Sequence, residues 1–123
     1  MLEPVGVTLR LKHAEHAIRR RLDPMLSLEG LIFEQWQVLA ALSEQPGLRM
    51  TDLAEVACLP AATLTRHVDH LVVLALVVRR IDPADRRRVV VALSARGDRL
   101  AAQMRALEDE VDLGVRLPEP LQV

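Results

Sequence analysis

The stretch LVVRRIDPADRRRVVVAL, residues 76–93, decides how this chain is read. Its flanks, residues 77–81 and 88–93, are rich in β-branched side chains, and Asp, Pro and Ala lie between them. β-branched residues fit a pleated strand, and Asp and Pro between two such runs mark a turn. The stretch therefore predicts a β-hairpin with a charged tip. Arg79, Arg80, Arg86, Arg87 and Arg88 crowd that hairpin, opposed only by Asp82 and Asp85.

Working outward, the apolar period lengthens to that of helices. In residues 61–74, Leu64, Val68, Leu71 and Val72 share one side, opposite Ala62, Thr63, Arg66, Asp69 and His70. CLP (58–60) is a tight turn, and a short helix at 51–57 precedes it with Thr51 as N-cap. A helix at 33–45 carries Trp36, Leu39, Ala40 and Leu42 and stops at QPG. The first helix covers 5–23, with Val7, Leu11, Ala14, Ile18 and Leu22 in register. Pro24 ends it or lies just beyond, because proline lacks the N–H a helix interior needs. SLEG (27–30) is a connector. On the far side of the hairpin, Ser94 caps a last helix over 95–111 with the stripe Leu100, Met104, Leu107 and Val111, and the tail 117–123 is irregular.

Helix, helix, short helix, helix, hairpin, helix is a mainly α chain with a small β-hairpin wing, a winged helix-turn-helix. The apolar stripes on the terminal helices are wider than one small domain needs. Terminal helices intertwining across a two-fold would bury them, while packing within one chain is the alternative. The chain divides into an N-terminal dimerisation helix (1–24), a DNA-binding domain (25–93), and a C-terminal dimerisation helix with a short tail (94–123).

The totals narrow the function. One hundred and twenty-three residues suffice for one domain with a real core. Net charge is −1, so overall charge does not point to nucleic acid, but its distribution does. Arginines gather at 79–88 and acids at 108–119, so one region can face an anion while another stays away. The longest apolar run, residues 71–78, is too short to span a bilayer. The opening MLEPVG lacks a signal-peptide pattern, and Cys58 stands alone, so the expectation is a cytoplasmic protein without membrane or disulfide.

Small and hydrogen-bonding residues near the start of the 61–74 helix allow close approach to a DNA major groove. Arg66 can donate twice to a guanine edge, and Thr63 or Thr65 can meet phosphate or a thymine methyl. An arginine at a wing tip can enter the electronegative minor groove. Asp85 is placed to hold Arg87 in a forked ion pair, leaving Arg86 and Arg88 for flanking phosphates. The alternatives are a solvated helix face and a plain charged turn.

With these residues in view, the sequence resembles the MarR family of bacterial transcriptional regulators over about residues 20–107. The resemblance rests on GLIFEQWQVLAAL (30–42), MTDLAEVACLPAATLTRHVDHL (50–71) and RRIDPADRRRVVVALSARG (79–97). In the last, Asp82, Asp85, Arg87, Ser94 and Gly97 match the family's wing pattern. It implies a homodimer binding a pseudo-palindromic operator as a repressor, released by a small aromatic effector held between dimerisation and DNA-binding lobes. It also implies DNA contacts from Thr63, Thr65 and Arg66 and a minor-groove contact from Arg87; His70, Asp85, Arg86 and Arg88 complete the expected DNA-binding set. The chain departs from the family at Ile32 and Pro60, which replace side-chain N-caps, and at Ala75, which replaces a common Gly. Val73 points outward as an apolar residue. That feature motivates the competing reading, a winged-helix protein-interaction module that does not read DNA.

Phe33 and Trp36 are candidates to line an aromatic-ligand pocket, with core packing as the alternative. The pairs His13/His16 and His67/His70 lack a third metal ligand nearby. Cys58 reads as a buried, inert thiol, with a redox sensor as the alternative. No nucleophile with its base, paired carboxylates or phosphate loop is present. Neither an enzyme, a metal nor a cofactor is expected.

Overall fold

The computed structural model describes residues 6–114 and 116–119. The readings of residues 1–5 as free of a leader pattern and of 120–123 as irregular lie outside the described residues. Five helices and one hairpin follow in order: α1 Val7–Leu28, α2 Phe33–Glu44, α3 Met50–Ala57, α4 Ala61–Val73, β1 Val77–Asp82, β2 Asp85–Leu93 and α5 Ala95–Asp109. This is the predicted order.

α2 forms the centre. Trp36, Val38 and Leu39 are buried there and meet Leu22 and Leu26 of α1, Leu53 of α3, and Leu100 and Met104 of α5. α4 contributes Leu64, Val68 and Leu71, all almost fully buried. Burial of each such side chain is worth roughly 2 kcal/mol, so α4 is held by one face while its other face is left to solvent. No described helix is long and apolar enough to cross a membrane.

The hairpin pairs Val77 with Leu93 through Ile81 with Val89, and then Asp82 with Asp85. One step along β1 there spans four along β2, so Arg86, Arg87 and Arg88 have no partner across the ladder. The Ala84 N–H closes the turn on Asp82 Oδ1 at 2.8 Å. Sequence periodicity missed a third short segment. Leu48 bridges Val91, with N–H···O distances of 3.0 and 2.8 Å in the two directions, and ties the α2–α3 connection to the wing.

Several boundaries differ from expectation. Pro24 does not end α1, which continues to Leu28. Leu22 and Leu26, buried on either side of it, outweigh the single backbone bond that proline removes, and Pro24 itself is exposed. The SLEG connector is accordingly reduced to a turn at Glu29 and Gly30, with Gly30 at φ 74°. α3 starts at Met50 with Arg49 as N-cap, so Thr51 lies inside the helix; Met50 packs on the core and draws the helix start one residue earlier. α5 stops at Asp109 rather than 111. Glu108, Asp109 and Glu110 crowd its C-terminus, where the helix dipole disfavours negative charge.

Two positions singled out in the sequence, at the start of α5 and after α4, have a local explanation. Ser94 Oγ accepts from the Gly97 N–H at 3.0 Å, as a capping residue should. Ala75 has φ 60°, the left-handed backbone that explains why glycine is common there. The α5 stripe, however, is covered within this chain, since Leu100 and Met104 are buried in its core. Of the two terminal helices it is α1 that leaves large apolar residues in solvent, at Val7, Leu9, Leu11 and Leu28.

Candidate nucleic-acid interface

α4 presents Ala61, Ala62, Thr65, Arg66, Asp69 and His70 to solvent, with Thr63 partly buried. Arg66 has no hydrogen bond or ion pair among the described residues, so its guanidinium is free to reach outward. The Thr65 hydroxyl donates to the Ala61 carbonyl at 3.3 Å, a local bond that a phosphate can displace. Pro60 caps α4 without a side-chain bond, and its first turn holds no acid. The positive end of the helix dipole is therefore open to an anion.

The exposed face of α4 adjoins the wing. Asp69, one turn beyond Arg66, forms an ion pair with Arg79 of β1. Arg80 donates to the Pro46 carbonyl at 3.1 Å. Thus Arg79 and Arg80, counted in the sequence as part of the positive tip, are used to brace the hairpin base. The charge offered outward is that of Arg86, Arg87 and Arg88, the three residues the β ladder leaves over.

Asp85 does not fork onto Arg87 as expected. Its Oδ1 accepts the Arg87 backbone N–H at 3.1 Å and Arg87 Nε at 3.3 Å, while its Oδ2 meets Arg88 Nε at 3.2 Å. Asp85 sits at the tight end of the bulge, so one carboxylate serves two successive arginines. It takes only the Nε edge of each and leaves the outer nitrogens of Arg87 uncommitted. The Arg87 side chain is 91% exposed.

His70 is exposed, yet its Nε2 donates to the Gly30 carbonyl at 3.2 Å, which anchors α4 to the α1–α2 turn. Sequence reasoning missed Gln35. This buried residue accepts the Ile32 N–H at 3.0 Å, the half of a capping box that does not depend on the side chain Ile32 lacks. Its amide faces His67 Nδ1 at 3.4 Å, linking the start of α2 to α4. A glutamine three residues after the cap position was the available signal. Val73 is 81% exposed, as expected.

Phe33 and Trp36 both border an open groove of about 360 Å³ between α2, the end of α3 and the end of α5. Trp36 is 1% exposed, and its indole N–H donates to Glu108 Oε2 at 3.1 Å. Burial pushes the Glu108 carboxyl above the usual glutamate range, against the pull of the Trp36 bond and of Arg105. The Arg19 guanidinium lies 4.3 Å from the Phe33 ring centre. It also pairs with Glu34 at 3.0 Å and Glu15 at 3.1 Å. Burial pulls the Glu34 carboxyl up, but its own backbone N–H and Arg19 outweigh that and lower it.

Cys58, expected to be buried, is exposed and also borders this groove. It ends α3 in the left-handed conformation, φ 59°, which turns its side chain away from the core. Among the described residues no three His, Cys, Asp or Glu side chains gather to hold a metal ion.

A helix held by one face, an exposed arginine on the other, and a bulged arginine wing joined to it by an ion pair define a winged helix-turn-helix DNA-binding protein. Comparison narrows the class. Residues 29–88 match the MarR family profile. The HTH-type transcriptional regulator FarR of Neisseria gonorrhoeae is 30% identical over 107 residues, 87% of this chain and 71% of FarR. The transcriptional regulator HosA of Escherichia coli O111:H- is 35% identical over 85 residues, 69% of this chain and 63% of HosA. The match to HosA thus spans less than two thirds of that protein's length. The structure of reduced MarR from E. coli superposes with a TM-score of 0.78 at 26% identity, covering 92% of this chain and 82% of that one. NadR in complex with 4-hydroxyphenylacetate gives 0.74 at 29% identity, covering 89% and 78%. The chain belongs to the MarR family and is a transcriptional regulator; these relatives are regulators rather than enzymes.

Proposed function

We propose that the protein is a cytoplasmic repressor that binds a pseudo-palindromic operator as a homodimer and is released by a small aromatic effector. α4 enters the major groove, where Arg66 reads a guanine edge and Thr63 and Thr65 meet backbone or a thymine methyl. Arg87 enters the minor groove beside it, and Arg86 and Arg88 hold the flanking phosphates. His70 and Asp85 act by holding the helix and the wing arginines in place. The observation that carries this reading is the wing: three consecutive arginines expelled from the β ladder, on a hairpin tied by Asp69–Arg79 to the exposed side of α4.

Dimerisation falls to the regions 1–24 and 94–123, around the DNA-binding segment 25–93. Val7, Leu9 and Leu11 offer α1 an uncovered apolar surface that a second copy would bury. The groove bordered by Phe33 and Trp36 lies where α2 meets the end of α5, between those regions. NadR's complex with 4-hydroxyphenylacetate supports an aromatic occupant.

Selection of bound fragments from the source genome, followed by gel shift, tests the reading. An enriched two-fold-symmetric site is expected. Arg66→Ala should relax base preference within each half-site, and Arg87→Ala should weaken binding to all sequences alike. Partner capture through the exposed Val73 surface, with no DNA shift on any fragment, would replace this reading with the protein-interaction module.

A further inference from the structure

We propose that the groove beside Trp36 takes a small aromatic amine, with the ligand's protonated nitrogen seated on Glu108. The proposal rests on the reading of this groove as the effector site and adds the chemical class of the effector.

The apolar lining is Phe33, Trp36, Ala40, Ala41, Val56 and Ala57. About 360 Å³ is at the small end of ligand sites and admits one ring system. The polar lining is Gln37, Glu44, Glu108 and the Cys58 thiol, and no lysine, arginine or histidine borders the groove. The Gln37 amide is committed to the Ala57 carbonyl at 2.8 Å. The charged side chains that line it are thus both acidic, Glu44 and Glu108.

Glu108 is positioned to receive a donor. Its Oε2 holds the Trp36 indole at 3.1 Å, and its other oxygen has no hydrogen-bond partner among the described residues. No buried side-chain oxygen or nitrogen described in the structure lacks a partner, so that second oxygen is not sealed off from solvent, and Glu108 is one of the residues that line the groove. Arg105, whose charge also acts on Glu108, donates to the Ser43 hydroxyl at 3.2 Å and lies 3.9 Å from Glu44. Asp109 adds a further negative charge near Glu108. A ligand ammonium would return to Glu108 the stabilisation that burial removes, whereas an aryl carboxylate would bring a third anion beside Glu44 and Glu108.

Trp36 is the single tryptophan, so intrinsic fluorescence reports this groove directly. The full chain is titrated at pH 7 with 2-phenylethylamine, phenylacetate and 2-phenylethanol. The amine should bind at least about tenfold tighter than the acid, the factor one partly desolvated charged contact supplies, with the alcohol between. Glu108→Gln should bring the amine to the level of the alcohol, and Glu44→Gln should move it less. Tighter binding of the acid, or an amine preference that survives Glu108→Gln, overturns the assignment and leaves the effector site standing. If none of the three ligands perturbs Trp36, the effector site and this assignment fall together.

Discussion

Arg87→Ala is the perturbation whose size follows most directly from the structure. The side chain is nearly fully exposed, its only ion pair is a 3.3 Å contact through Nε, and it has no cross-strand partner. An exposed pair of this kind contributes little to stability, so the variant should fold as the parent does. On DNA, one arginine per protomer means two phosphate-level contacts in the proposed dimer. Each releases counterions worth a log–log salt slope of about −0.9, so the variant's slope should be shallower by about 1.8. Between about 50 and 200 mM salt, a fourfold change, the parent's affinity advantage should then shrink about twelvefold. Fluorescence anisotropy on one labelled operator fragment, repeated over that salt range for both proteins, measures the difference. Parallel salt lines would refute the reasoning, because they would mean that Arg87 neutralises no phosphate. A difference in slope of about 0.9 would keep the wing contact but assign it to a monomer.

Gly97→Ala should destabilise by about 3 kcal/mol, since its Cβ would lie 2.0 Å from the Leu76 carbonyl oxygen, which also accepts the Ser94 N–H; urea denaturation measures it. Ala75→Gly should raise the denaturation midpoint by relieving the left-handed backbone at φ 60°, a net gain of about 0.5 kcal/mol after glycine's entropy cost. Glu108 should titrate above the usual glutamate range, read as a pH-dependent change in Trp36 fluorescence that is absent in Glu108→Gln. Because the folded state holds that proton more tightly, its contribution to stability is full in acid and is lost as pH rises through the raised value. Glu108→Gln should flatten that decline.

Much of the fold was legible in the sequence because it is local. Helical spacing in 61–74 and β-branched runs on either side of an Asp/Pro turn are short-range signals, and they located α4 and both strands. Ser94 was legible as a cap because capping is satisfied within one turn. Pro24 was misread for the same reason: its local penalty is plain, but the burial of Leu22 and Leu26 that overrides it belongs to packing. Cys58 was misread because its neighbours Ala57 and Leu59 are apolar. The left-handed end of α3, which turns Cys58 outward, is a backbone event those neighbours do not reveal.

By itself the sequence determined the kind of elements, their order, and the positive charge of the wing. These follow from side-chain chemistry repeated at fixed intervals along one chain. Only the tertiary structure decided which arginines are spent. Arg79 and Arg80 are engaged at the surface by Asp69 and the Pro46 carbonyl, and the register break at Ile81–Asp82 releases the next three. It also brought Trp36 to Glu108 across 72 positions, because hydrogen bonding and desolvation depend on distance in space rather than along the chain.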